Sequence, residues 1–316
     1  MDRTAAPDAP PDPAPPERAR SPRGLLARPG RADGRELDDH GAVDTPVVTI
    51  RAGRRRPTVD WREILRYRDL LLTLAWRDVR VRYKQTALGV TWVILQPLLA
   101  SVVLSFVFSI IAGMRSGTTP YLLVTFAGLL AWNLFSSVVI RASSALVING
   151  SLVTKVYFPR ELLPLSSVVP ALLDFVVGLV VMAALMVGFR AAPGAGLLLL
   201  PAWLAIVVLM ALGLGLMAAA LTVRYRDVQQ ILPFALSLGL YASPVAWTVA
   251  AVPARYRLAC ALNPLSGPIE AFRWSLLGIG EPDASALAYG AATALAVFWA
   301  GAWTFRRMEG SFADVL

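Results

Sequence analysis

Six stretches of the chain, at about 90–113, 119–140, 162–189, 197–222, 229–250 and 285–305, are apolar over nearly their whole length. At about 1.5 Å per helical residue, each is able to cross the ~30 Å hydrocarbon layer of a bilayer. The pattern predicts an all-α integral membrane protein, a bundle of six transmembrane helices within residues 89–316. A different periodicity precedes the first span. At about 100° per residue, Trp61, Leu65, Leu72, Trp76, Val79 and Tyr83 fall within an arc of roughly 60°. Arg62, Arg66, Arg77, Arg80 and Lys84 gather opposite them. Residues 59–88 therefore read as an N-terminal amphipathic helix in the cytoplasmic interface, its arginines over anionic membrane lipid. The competing reading, a helix packed on a soluble domain, leaves no such domain to pack against.

The connection from 251 to 283 is interrupted by Pro253, Pro264, Gly267, Pro268, Gly278, Gly280 and Pro282, yet is too apolar for a free loop. Irregular backbone at membrane depth is tolerated only inside protein or beside water. Short re-entrant or interfacial helices are expected here, between the fifth and sixth spans on the outer side. Glu270 and Arg273, three residues apart, are within pairing distance on a helix.

Composition agrees with a chain that lives mostly in lipid: 56% of the 316 residues are hydrophobic and 16% charged. Residues 1–58 are the exception, with ten of the 23 prolines, eleven arginines and nine carboxylates. Such a segment buries too little apolar surface to offset chain entropy and is read as a disordered Pro/Arg-rich cytoplasmic tail. Its longest apolar run, Leu25-Leu26-Ala27, falls short of the ~7–15-residue core of a secretory signal. The Arg54-Arg55-Arg56 run is either solvated or a contact for anionic headgroups or an acidic partner.

The net charge of +9 does not point to nucleic acid once its sources are located. Fourteen basic residues lie at the ends of spans facing the side of the tail, including Arg141, Lys155, Arg160, Arg224, Arg226, Arg306 and Arg307. Five lie on the other side: Arg115, Arg190, Arg255, Arg257 and Arg273. The bias predicts a multi-pass plasma-membrane protein with both termini in the cytoplasm.

One histidine, His40, and one cysteine, Cys260, exclude a Cys/His metal cluster, a disulfide framework and a Ser-His-Asp triad, so no catalytic or metal-binding residue is expected. The two lysines, Lys84 after Tyr83 and Lys155 after Thr154, do not occur in the Gly-Lys-Ser/Thr sequence of a phosphate-binding loop. If ATP drives this protein, a second polypeptide hydrolyses it. Asp174 lies within the third span, where an ionised group costs about 2.5–3.5 kcal/mol on insertion scales. It needs a partner or a proton, either as a channel-facing group or as a structural bond between helices. One such group does not make a proton relay, which weakens a secondary-transporter reading.

In the connection 142–161, Asn149-Gly150 makes a break, Ser151 to Tyr157 can form a short helix, and Phe158-Pro159-Arg160-Glu161 begins the next span. This is either a seat for a partner or a linker carrying a positive-inside lysine. Trp92, Trp132, Tyr241 and Trp247 lie near span ends as interfacial anchors, with stacking on sugars open to a few of them. Trp92, Gln96, Trp132, Asp174 and Tyr241 make up the candidate channel lining.

Tyr83-Lys84-Gln85-Thr86-Ala87-Leu88-Gly89, followed by Trp92 and Gln96-Pro97, resembles the entry to the first span in membrane subunits of ABC-2 type polysaccharide exporters. The same family is resembled by Asn149 through Lys155-Val156-Tyr157-Phe158-Pro159-Arg160-Glu161-Leu162-Leu163-Pro164 and by Arg226-Asp227-Val228-Gln229-Gln230-Ile231-Leu232-Pro233. Ser243-Pro244-Val245, Asn263-Pro264-Leu265 and the ending Phe305-Arg306-Arg307 with Phe312-Ala313-Asp314 complete the series across residues 60–316. The long arginine-rich tail departs from the pattern.

The resemblance implies a homodimer of six-span subunits bound to two copies of a P-loop ATPase, with ATP and Mg used by that partner and no cofactor on this chain. It implies outward export of lipid-linked polysaccharide of O-antigen, teichoic acid or galactan type. It also implies that Asn149, Ser151, Leu152, Lys155, Tyr157, Phe158, Arg160 and Glu161 form an ATPase-coupling loop, and that the helix bearing Trp61, Leu65, Leu72, Trp76 and Tyr83 helps gate cytoplasmic entry. A drug or lipid ABC-2 exporter would share the six spans without the lysine-to-Phe-Pro-Arg-Glu segment. A membrane-embedded glycosyl- or acyltransferase would need a carboxylate pair or histidine at the membrane face, and an anchoring protein would not need the paired inner loops.

Overall fold

The computed structural model describes residues 65–84, 89–114 and 119–312, which are helical with no strand among them. Trp61 and the tail lie outside the described residues, as do 85–88. The helices are α1 (Arg68–Lys84), α2 (Gly89–Ser105, continued by a π-helical turn, Phe106–Ile111), α3 (Tyr121–Ile148), α4 (Gly150–Lys155), α5 (Leu162–Ser166), α6 (Val168–Gly188), α7 (Leu200–Arg224), α8 (Val228–Ala242), α9 (Arg257–Ala261), α10 (Ser266–Leu277) and α11 (Ala284–Met308).

Among the described residues, five helical stretches are long and apolar enough to cross a membrane: Thr91–Ile111, Tyr121–Ile148, Leu162–Gly188, Leu197–Arg224 and Ala284–Ser311. They divide sharply by burial. In its most apolar window α3 is 78% buried, whereas Thr91–Ile111 is 6% buried and leaves its aliphatic surface open. The centre is a sandwich of α3, α7 and α11, with α7 between the other two. Small residues set its spacing. A side chain on Gly301 would run into the Gly213 carbonyl, one on Gly213 would sit 2.6 Å from the Phe298 Cα, and one on Gly215 would sit 2.6 Å from the Ala142 Cβ. In lipid, where apolar burial drives helix association little, such close backbone approach provides the attraction.

The stretch 229–250 is not one continuous helix. α8 ends at Ala242 after 15 residues, about 22 Å at 1.5 Å per residue and so shorter than the ~30 Å layer. Pro244 supplies the reason. It lacks an N–H and drives Ser243 into the extended region, φ −102° and ψ 152°. The chain then turns inward, burying Val245 and Ala246.

The carbonyls freed by this break converge on Arg273 of α10, which is 1% exposed. Its guanidinium donates to the carbonyls of Pro244 (2.7 Å), Val245 (3.0 Å), Val124 (3.3 Å) and Trp247 (3.4 Å). The Tyr121 hydroxyl donates to the Ala246 carbonyl at 2.6 Å, and Asn263 Nδ2 donates to the Ala242 carbonyl and the Ser243 hydroxyl. Gly128 makes the room, because a Cβ there would strike the Val245 carbonyl and lie 2.9 Å from Arg273 Nη2. The expected Glu270 to Arg273 pairing is thus replaced by contacts to backbone: Glu270 Oε1 accepts from the Val249 N–H at 2.7 Å.

The connection to the last span contains short helices, as its proline and glycine spacing predicts, with α10 ending at Gly278 in the left-handed region (φ +66°). Asp283 caps α11 by accepting from the Ser285 N–H and hydroxyl, and those hydrogen bonds hold its carboxyl below the usual carboxylate range.

Replacing Arg273 by leucine strands several buried carbonyls. The expected cost is about 1–3 kcal/mol, read as a lower denaturation midpoint of the purified protein, and Arg273→Lys should not recover it because one ammonium cannot span the fork.

Candidate functional site

Asp174 of α6 does have partners, and they come from two other helices. Its Oδ2 accepts from Arg82 Nη1 of α1 at 2.7 Å and from Arg141 Nη2 of α3 at 3.1 Å. The sequence pattern ends the second span at 140, which puts Arg141 in a loop. α3 instead continues as regular helix to Ile148, so Arg141 projects from the helix wall toward α6. One carboxylate of α6 thereby ties α1 and α3 to the same point.

A cleft of about 250 Å³ opens beside this triad, lined by Arg82, Gln96, Asn133, Ser136, Ser137 and Asp174. A second, of about 470 Å³, shares Arg82 and is lined by Arg77, Asp78, Arg141, Ser144 and Asn149 together with apolar Val81, Ala145, Ile148 and Pro170. Three guanidiniums, with amides and hydroxyls beside Asp78 and Asp174, line these clefts, and arginine presents planar paired donors that match phosphate or carboxylate oxygens.

The candidate channel residues separate here. Gln96 and Asp174 line the same cleft. Trp92 and Tyr241 are exposed, 53% and 65%, on the outer surfaces of α2 and α8. Trp132 faces inward, against Phe135 with ring centroids 5.4 Å apart and against the backbone of Gly239. It is a buried packing residue, 6% exposed, and Gly239 lets α8 come close enough to cover it.

Along α1 the outward apolar surface contains Leu72 and Trp76, with Arg80 stacked over the Trp76 ring at 5.8 Å, and Leu65, just before the helix, is exposed as well. Val79, grouped with them by periodicity, is buried together with Leu74 and Ala75, because α1 packs against α5 and α6. Only the backbone of Tyr83 is described.

At the end of α3, Asn149 holds the break: Nδ2 donates to the Ala145 carbonyl at 2.8 Å, and Oδ1 accepts from Arg77 Nη2 of α1 at 2.7 Å. The coupling-loop candidates that follow divide by orientation. Ser151, Lys155 and Tyr157 are exposed, while Asn149, Leu152 and Arg160 are half-buried. Phe158 and Glu161 are buried, both at 4% exposure. Glu161 pairs with Arg306 of α11 at 2.8 Å, and Arg160 Nη1 donates to the Glu309 carbonyl. Arg82, Arg141, Arg306 and Glu309 were not candidates from the sequence. The signal for the first two was the unmet charge of Asp174, which demands a cation without saying which helix brings it.

Two comparisons bear on what this arrangement serves. Residues 69–277 match the family model of the ABC-2 type transporter. An O-antigen export system permease protein RfbA of Myxococcus xanthus is 32% identical over 255 residues, spanning 80% of this chain and 97% of that protein. Two proteins of the same name from Klebsiella pneumoniae are 26% and 24% identical over 250 and 249 residues, each covering 78% of this chain and 95% of the relative.

Asp174→Asn removes the charge that separates Arg82 from Arg141. Combined with Arg82→Gln in a double-mutant cycle, its effect on the denaturation midpoint should be less than additive, with a coupling of about 1 kcal/mol. Additive effects would mean that the contact carries no energy.

Proposed function

The chain belongs to the ABC-2 type transporter family, and on that premise we propose that it is the membrane permease of an ATP-driven exporter of lipid-linked O-antigen-type polysaccharide. The observation that carries this reading is the extent of similarity to the RfbA permeases, 97% of the length of the Myxococcus xanthus protein at 32% identity. Membership of this family implies a separate ATPase, and the placement of both lysines outside any phosphate-binding loop sequence fits that division.

The ATPase sits on α4. Ser151, Lys155 and Tyr157 present a short polar and aromatic surface, and Ile148 beside them is 73% exposed. Two ATPase copies serve a homodimer, with ATP and Mg bound by them. The arginine bias puts α4 and both termini in the cytoplasm and the spans in the plasma membrane. α8 is the fifth of six spans in this reading. None of its residues is buried, and Ile231, Phe234, Leu238 and Tyr241 offer a second copy an apolar face. α1 lies in the membrane interface with Leu72 and Trp76 in lipid.

Export proceeds without chemistry on the glycan. Closure of the ATPases presses on the connection 142–161, the two bundles separate, and the polymer passes along their interface. The clefts around Arg82 and Arg141 receive the anionic headgroup of the lipid carrier on the cytoplasmic side.

The test is reconstitution in vesicles with the ATPase and lipid-linked glycan. Glycan is expected to become accessible to an externally added glycosidase only with ATP and both subunits; transport or phosphate release by the permease alone overturns the reading. Lys155→Glu with Tyr157→Ala should cut recovery of the bound ATPase about tenfold, the effect of losing ~1.4 kcal/mol at an interface anchor.

A further inference from the structure

Two motifs at distant points in the chain, Phe158-Pro159-Arg160-Glu161 and the ending that runs from Phe305 to Phe312, are halves of one assembly. We propose that this assembly is a clamp that carries movement of α4 into the α3, α7 and α11 block, with Glu161 and Arg306 as its positioning residues. The proposal rests on the reading of α4 as the ATPase seat.

Three contacts and a shared core build the clamp. Glu161 and Arg306 form an ion pair in which the two side chains are only 5% and 12% exposed. Arg160 donates to the Glu309 carbonyl, which gathers the turn that follows α11. Phe158 is buried in the same core as Phe305 and Phe312. The last two meet edge to face, centroids 5.2 Å apart, and both are 0% exposed.

Geometry on either side makes the clamp a transmission point rather than a local staple. Only Val156 and Tyr157 lie between the end of α4 and buried Phe158, and Val156 is extended at φ −126° and ψ 135°. A two-residue strut has no slack to absorb a displacement of α4. Beyond the clamp, α11 is locked to α7 through Gly301 and Gly213, and α7 to α3 through Gly215 and Ala142. Interdigitated backbones resist sliding, so a push delivered to the foot of α11 moves three helices together. α8 and the π-helical end of the first span bury no residue, and α8 meets the block along one side only, where Gly239 covers Trp132.

A buried ion pair is poor evidence of stabilisation, because apolar residues of equal volume often do as well or better. Its particular contribution is direction: a charged contact fixes the register of α5 against the end of α11 in a way that greasy packing does not. Phe158 and Glu161 accordingly act from inside the permease and do not touch the ATPase.

The experiment uses the permease with its ATPase in vesicles and reads three quantities: ATPase recovered, denaturation midpoint, and glycan exported per ATP hydrolysed. Glu161→Arg and Arg306→Glu should each lower the export-to-hydrolysis ratio by about five- to tenfold with ATPase recovery unchanged, a coupling of ordinary allosteric size. The combined swap, Glu161→Arg with Arg306→Glu, and the conservative Arg306→Lys should restore at least about half of the ratio. Where a single reversal does not fold, Glu161→Gln supplies the same reading. A wild-type ratio in the single variants, however far their midpoint falls, overturns the clamp as a transmission element, and so does a swap that rescues nothing. Loss of ATPase recovery in these variants also overturns it, since that places the pair in the docking surface. Unchanged ATPase recovery in the Lys155→Glu, Tyr157→Ala variant, by contrast, defeats the α4 seat, a separate failure from that of the clamp.

Discussion

A backbone carbonyl in hydrocarbon has no water to bond, so wherever a helix of this chain stops short the freed groups need a donor from the protein itself. The break after Ala242 shows how much follows from that constraint. Arg273 donates to three carbonyls just past the break and to that of Val124 in α3, Tyr121 and Asn263 donate to two more at the break, and Gly128 leaves room for them. Those contacts tie α10 to α3 and to the chain leaving α8. One irregular turn thereby fixes the position of three elements.

The same economy governs charge. Asp174 would be costly alone within a span; with Arg82 and Arg141 it becomes the joint at which α1, α3 and α6 meet. The joint opens onto two clefts that mix charged, polar and apolar side chains. Glu161 and Arg306 solve the corresponding problem at the other side of the connection, where α5 begins and α11 ends. Charged pairs thus stand where helices have to keep a defined relation to one another, and apolar contact fills the space between.

Packing separates a firm part of the molecule from a loose one. Glycine and alanine contacts join α3, α7 and α11, whereas α8 buries no residue and the first span very few. In a transporter the second group meets lipid or another subunit, and rearrangement at such a surface disturbs few internal contacts. The connection bearing α4 is attached to the firm part through Phe158 and to α1 through Asn149 and Arg77.

What was legible in the amino-acid order was whatever depends on neighbours along the chain. Runs of apolar residues located the five long helices, Asn149-Gly150 marked the break before α4, and Pro253 to Pro282 announced short helices. Arginine distribution and the two lysines shaped the functional reading in the same local way. Hydropathy continued through Ser243-Pro244 without registering that the helix ends there, since the residues stay apolar while the backbone turns. Which cation answers Asp174, that Phe158 and Trp132 face inward, and that Glu161 finds Arg306 across nearly half the chain were decided by tertiary structure alone. Periodicity records which face of a helix is apolar; the identity of the partner depends on how helices distant in sequence are stacked, and small residues at a few crossings set that stacking.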